Sequence, residues 1–177
     1  MLENIDIKEN WYAIYTMPRA EKKVYERLQE NGITSYLPLI TTIRIWSDRR
    51  KKVTSPLISS YVFVKMEESK LSSLYQIQGV TGILKHLKKP AIIRENEIDN
   101  LKILLSDSDN FSILDIDNPI FEKGETVRVI KGPFQGLIAQ FYENKGKHRV
   151  VVSIDSITTG FEVNVPSSFL EKYNPTN

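Results

Sequence analysis

Side chains able to do covalent or acid–base chemistry are few and scattered in this chain of 177 residues. There is no cysteine, which removes a thiol nucleophile, a thiolate metal site and a disulfide framework. The two histidines, His86 and His148, fall in different predicted domains and cannot by themselves hold a zinc ion. No Ser-His-Asp set and no paired carboxylates stand out, and no glycine-rich loop has the spacing that cradles a phosphate. The expectation is a protein that is not an enzyme, uses no metal or cofactor, and acts by binding.

Two kinds of binding chemistry are present. Aromatic residues concentrate in WYAIYT (11–16) and in LISSYVFVKM (57–66), which supply Trp11, Tyr12, Tyr15, Tyr61 and Phe63 beside Ile58. Both segments read as strands, and a strand shows alternate side chains to opposite faces. Helices on one face therefore cannot cover all of them. Cations form the second group. Arg19, Lys22, Lys23 and Arg27 follow Pro18 along one helix, and Arg49, Arg50, Lys51 and Lys52 sit together at a predicted hairpin tip. Such side chains neutralise phosphates and release counterions. A charge run can equally be a solvated tip, and for residues 49–52 both readings stand. Ser72 and Ser73 lie on a short predicted helix. Phe134, between Pro133 and Gly136, reads either as a loop side chain offered to a partner or as a plug for one end of a barrel.

The elements that must position these groups follow from apolar spacing. Ala20, Val24 and Leu28 recur every four residues and give a helix that stops at Asn31-Gly32. Ser35–Leu37 reads as a short strand, residues 41–54 as a hairpin, and Leu57–Met66 as an apolar strand. Leu71, Leu74 and Tyr75 mark a short helix. Ile83, Leu84 and Leu87 mark a strand ending at Lys88-Lys89-Pro90. Ile98, Leu101, Leu104 and Leu105 mark a last helix capped by Asn96. The order predicts an α+β sandwich with an antiparallel sheet over residues 1–105. Residues 119–177 show short strands at 126–130, 137–142, 149–154 and 161–165. In so small a segment that pattern predicts an SH3-like barrel. The piece between, SDSDNFSILDIDN (106–118), is rich in turn formers and reads as a flexible linker.

Charge follows the same division. The net of +2 averages +5 over residues 1–105, −4 over 106–118 and +1 over 119–177. No apolar run approaches the roughly 20 residues of a membrane helix. The polar, acidic start MLENIDIKEN is no secretory signal. The chain is expected in the cytoplasm, away from membranes, as a monomer.

Residues 121–142, FEKGETVRVIKGPFQGLIAQFY, resemble the KOW motif through Gly124-Glu125, Val127, Val129, Gly132-Pro133-Phe134 and Gly136. WYAIYTMPRAEKKVYERL, PLISSYVFVKM and GVTGILK resemble the N-terminal domain of the NusG family of transcription factors. The two likenesses together run from residue 11 to about 173. The absence of a large insertion in the first domain looks most like the specialised RfaH/UpxY-type antitermination paralogs. Ser59-Ser60-Tyr61 departs from the family's usual Pro-Gly-Tyr or Pro-Asn-Tyr at this turn. The resemblance implies an elongation and antitermination factor that suppresses pausing and termination on selected long operons, such as those for polysaccharides. A housekeeping general elongation factor, or a KOW-based ribosome- or RNA-binding module, are the alternatives. It implies that Tyr15, Ile58, Tyr61 and Phe63 line a pocket for the clamp helices of RNA polymerase. Ser72 and Ser73 would meet the opposite jaw. The start of the first helix would face the non-template DNA strand, and Phe134 a ribosomal small-subunit protein.

Overall fold

The computed structural model describes residues 8–45, 50–106, 111–115, 124–144, 147–154 and 159–174. Two compact units divide the chain, Met1–Glu95 and Asn96–Asn177.

The first unit contains β1 (Asn10–Thr16), α1 (Glu21–Glu30), β2 (Ser35–Tyr36), β3 (Leu39–Ile45), β4 (Arg50–Pro56) and β5 (Tyr61–Met66). A 3-10 segment (Glu68–Gln76) follows, then β6 (Val80–Ile83), β7 (Lys85–His86), β8 (Lys89–Pro90) and β9 (Ile92–Ile93). β1 is the central strand of an antiparallel sheet ordered β2-β5-β1-β6, with β9 also on β1. Alternation sorts its side chains. Tyr12 and Ile14, with Val62, Val64 and Met66, join Val24 and Leu28 of α1 and Leu71, Leu74 and Ile77 in one core. Deleting a fully buried leucine such as Leu28 from a core of this kind costs about 2–5 kcal/mol. The opposite face carries Trp11, Ala13 and Phe63, which are buried as well. The stripe Ala20, Val24, Leu28 thus does what its spacing predicts. α1 ends where Asn31 Nδ2 donates to the Arg27 carbonyl at 2.8 Å and the Gly32 N–H donates to Gln29.

The 70s segment folds as a 3-10 run rather than an α-helix, burying Leu71 and Leu74 and leaving Tyr75 exposed. Leu87, expected inside a strand, is instead at the tip of a second small hairpin, β7–β8. The apolar letters Ile83, Leu84 and Leu87 hid a break: the chain leaves the sheet after Leu84 and returns at Ala91, whose N–H donates to the Leu84 carbonyl.

The second unit begins with α2 (Glu95–Ser106), whose first residue closes the first unit, and continues through β10 (Phe111–Asp115), β11 (Thr126–Val129), β12 (Ile138–Asn144), β13 (Lys147–Ile154), β14 (Thr159–Asn164) and β15 (Leu170–Lys172). These strands form an antiparallel sheet ordered β10-β14-β13-β12-β11-β15. Alternation is again the organising rule. Val127 and Val129, and Phe161 and Val163, point inward.

One expectation is corrected here. The segment 106–118 is not linker throughout, because Phe111–Asp115 pairs with β14 from Phe111↔Val163 to Asp115↔Thr159. The surrounding Ser and Asp residues hid Phe111, Ile113 and Leu114, which suit a strand at a sheet edge. The two compact units meet at Glu95 and Asn96, so α2 is grouped with the second, where the sequence reading runs the first domain to residue 105. Among the described residues no helix is long and apolar enough to cross a membrane.

Candidate functional site

The aromatic surface reduces to two residues. The β1–β5 register sets Tyr15 opposite Tyr61, Ala13 opposite Phe63 and Trp11 opposite Lys65. The Tyr15 and Tyr61 rings lie 4.9 Å apart with a 46° tilt, a favourable offset for two quadrupoles. Both are half-buried. Burial, and then the hydrogen bond to the Tyr15 hydroxyl, push the Tyr61 phenol well above the usual tyrosine range. On the other side of β1, Gly82 stands opposite Tyr15, where a Cβ would sit 3.5 Å from the ring, so residue 82 adds no side chain against it. Phe63, expected to line the pocket, is fully buried and stacked 6.5 Å from Tyr36. Ile58 is buried too, at 7% exposure. Alternation placed Phe63 on the same face as Tyr61, but nearer the middle of the sheet, where cover is complete. Neither of these two residues presents surface.

The turn before Tyr61 is fixed by α1. Ser60 has φ of 64°, the left-handed conformation that glycine or asparagine would take more readily. Its N–H donates to Oε1 of Glu21 at 2.7 Å, and its carbonyl accepts the Thr16 N–H at 2.9 Å. Glu21, only 5% exposed, occupies the first turn of α1, where a carboxylate also suits the helix dipole. Sequence reasoning missed Glu21. The available signal was an acidic residue at the first position of α1, ahead of Lys22 and Lys23.

One of the basic residues expected on α1 reaches the hairpin. Lys22 Nζ donates to the Thr54 carbonyl at 2.6 Å, tying the first turn of α1 to β4. Thr54 is itself linked across the hairpin, its hydroxyl 2.8 Å from that of Thr41. Arg50, Lys51 and Lys52 are exposed on β4 rather than on a turn; Arg49 lies outside the described residues. Arg19, exposed with φ of 63°, and Lys23 have no hydrogen bond or ion pair among the described residues. Arg27 is turned away, its guanidinium donating to the Gln78 carbonyl. The exposed cations of the first unit thus include Arg19, Lys23 and the β4 residues, and Lys22 ties α1 to β4.

Ser72 and Ser73 are exposed and line an open cleft of about 650 Å³ with Arg27, Asn31, Lys70 and Gln78. The Ser73 hydroxyl donates to the Lys70 carbonyl at 2.7 Å. Lys70 pairs with Glu67 and, chiefly through that hydrogen bond, holds the Glu67 carboxyl below the ordinary range.

Phe134 is buried, at 3% exposure, and is not offered at the surface. The Leu137 N–H donates back to the Phe134 carbonyl and the Gly136 N–H to Val129, folding the loop inward. Sequence reasoning also passed over Asn100. Its amide Nδ2 donates to the Ile138 carbonyl at 2.8 Å and its Oδ1 accepts the Ile138 N–H at 3.2 Å, pinning α2 to β12. Among the described residues no cluster of His, Asp or Glu could hold a metal ion.

Comparison with known proteins finds relatives along most of the chain. A family model described as transcription termination factor nusG matches residues 9–102. Relatives include the transcription termination/antitermination protein NusG of Rickettsia bellii, 27% identical over 169 residues, covering 88% of this chain and 86% of that protein. The protein of the same name from Pseudomonas aeruginosa is 26% identical over 176 residues, covering 88% and 94%. A solved structure titled "Domain interaction in Thermotoga maritima NusG" covers 94% of this chain and 98% of its own at 21% identity, with a TM-score of 0.48.

Proposed function

The chain belongs to the NusG family of transcription termination/antitermination proteins, and from that premise we propose that it binds RNA polymerase through the Tyr15–Tyr61 pair. Members of this family are transcription factors, not enzymes. The observation that carries the reading is the half-open pair itself. Two polar-tipped aromatics end two strands whose neighbouring side chains are closed, which suits a helix tip whose own apolar residues need cover. The clamp helices of the largest polymerase subunit are the proposed occupant. Because Glu21 links this turn to α1, polymerase bound at the pair would hold Arg19, Lys23 and the β4 cations close to the non-template DNA strand. Ser72 and Ser73 are the proposed contact with the opposite jaw. A factor engaged this way holds the clamp closed and disfavours pausing and termination.

We read the second unit as a KOW-type barrel, supported by the Gly124-to-Gly136 motif and by six antiparallel strands. Phe134, being buried, does not support a ribosomal contact through its own ring. The compact first unit favours a specialist acting on selected long operons. The general NusG names of the curated relatives favour a housekeeping factor instead. Chromatin mapping separates the two: signal at a few operons supports the first, signal at most genes the second.

The polymerase reading is tested by capturing polymerase with the full chain and with a Tyr15→Ala/Tyr61→Ala variant. Loss of capture with an unchanged circular dichroism spectrum is expected. Full capture by a folded variant would remove the pair from the interface.

A further inference from the structure

Hairpin β7–β8 is placed by the sheet but not composed for it. The Leu84 N–H donates to the Ala13 carbonyl of β1, and Ala91 donates back to Leu84, both at 2.9 Å. Leu84 and Ala91 are buried, so the two ends of the excursion are fixed side by side. Only six residues lie between them, and Lys85↔Pro90 and His86↔Lys89 pair across. A two-residue turn is all that remains, and Leu87 and Lys88 fill it with φ of 49° and 68°. Two consecutive left-handed residues define the type I′ geometry, which asparagine and glycine adopt without strain. A γ-branched leucine followed by lysine is a poor choice for folding. Leu87 gains nothing from burial in return, since it is 84% exposed.

The surroundings indicate what such a tip would serve. Lys85, His86, Lys88 and Lys89 are all exposed, and among the described residues none makes a hydrogen bond or ion pair. No acidic residue occurs from Thr81 to Arg94. A stiff basic arm with one apolar side chain at its end matches a polyanion that also has apolar planes to offer. Nucleic acid meets both requirements. Phosphates take the lysines, and an aliphatic wedge between bases is a known way to hold an unstacked step. The penalty for unstacking is lowest where bases are already parted, which favours a junction of duplex and single strand.

We propose that β7–β8 is a second nucleic-acid contact, with Leu87 inserted beside the last base pair of a duplex–single-strand junction and Lys85, Lys88 and Lys89 on the flanking phosphates. The strained turn keeps the leucine pointed outward. This contact is separate from the α1 face and from the Tyr15–Tyr61 pair, and does not depend on either.

The test uses the full chain and a forked DNA carrying 2-aminopurine at the junction. Binding of the unaltered protein is expected to brighten the probe. Leu87→Asn with Lys88→Gly should raise the melting temperature by relieving the turn, abolish the brightening and weaken binding roughly tenfold through loss of the wedge and one charge. Lys85→Ser with Lys89→Ser should reduce the slope of log affinity against log salt by about 2. Brightening unchanged by the turn variant overturns the proposal, as does a melting temperature that falls. Equal competition by polyglutamate would show an acidic protein surface as the partner and overturn it too. Arg19→Glu with Lys23→Glu is run in parallel. If only that variant loses DNA, the α1 face stands and the hairpin contact is refuted.

Discussion

Ser60 shows how a residue other than glycine can hold a left-handed turn. A left-handed L-residue costs about 1–2 kcal/mol, and here the Glu21 carboxylate and the Thr16 N–H hold the turn on both sides. Ser60→Gly should therefore stabilise the chain by about 1 kcal/mol in urea unfolding, because glycine reaches this φ freely. A second residue-scale prediction concerns alkali. Burial, then the nearby Tyr25, push the Tyr36 phenol up to about 12 from 10. The folded state thus resists ionisation that the unfolded chain accepts. This contribution is complete below pH 10 and is lost as pH rises from 10 to about 12. Tyr36→Phe removes it. The variant should lose less stability between pH 9 and pH 11 than the unaltered chain, read as the shift in urea midpoint. At this scale the sequence was readable by residue type and not by depth. Tyr15, Tyr61 and Phe63 were all visible as strand aromatics, yet cover depends on what packs over each position, and Phe63 proved wholly enclosed. Glu21 was overlooked because its partner, the Ser60 N–H, is 39 residues away.

At the scale of elements, apolar period was the dependable signal. β1, β5 and α1 were legible because each runs long enough for alternation or a four-residue stripe to repeat. β7, β8, β9 and β15 span only two or three residues each, too few for any period, and backbone pairing alone defines them. β10 was hidden for a different reason: turn-forming Ser and Asp surround it, so composition outvoted Phe111, Ile113 and Leu114. Packing between elements gives a sharper test than either signal. Gly79 follows the 3-10 segment with φ of +100°, and a Cβ there would stand 2.8 Å from Cγ2 of Val24 on α1. The same glycine carbonyl receives the Met17 N–H at 2.9 Å. One small residue thus lets the end of β1, the start of α1 and the entry to β6 converge. Gly79→Ala combines a strained φ with a clash against a fully buried valine. It should cost about 2–3 kcal/mol by thermal unfolding, against a few tenths for an exposed substitution such as Lys23→Ala.

For the whole molecule, the position of the boundary changes what the charge means. Divided at Glu95 and Asn96, the net charge is +6 on the first unit and −4 on the second. The contrast is stronger than the linear reading suggested, and it assigns the excess of cations to one unit. An attraction to nucleic acid that weakens with salt should accordingly originate in residues 1–95. One tie between α2 and the second unit is Asn100, whose amide satisfies both backbone groups of Ile138. Apolar spacing could show that α2 exists, but not which neighbour holds it, because that information lies in a polar pair 38 residues apart. Asn100→Ala would leave a part-buried N–H and carbonyl without their partners and should cost about 2–3 kcal/mol. The chain offers a built-in way to locate that loss. Its two tryptophans, Trp11 and Trp46, both precede residue 96, so tryptophan emission follows the first unit alone, while far-ultraviolet circular dichroism follows both. If α2 is a structural member of the second unit, the variant should lower the unfolding midpoint seen by dichroism and leave the tryptophan midpoint in place. A tryptophan midpoint that falls by the full amount would return α2 to the first unit and restore the boundary near residue 105.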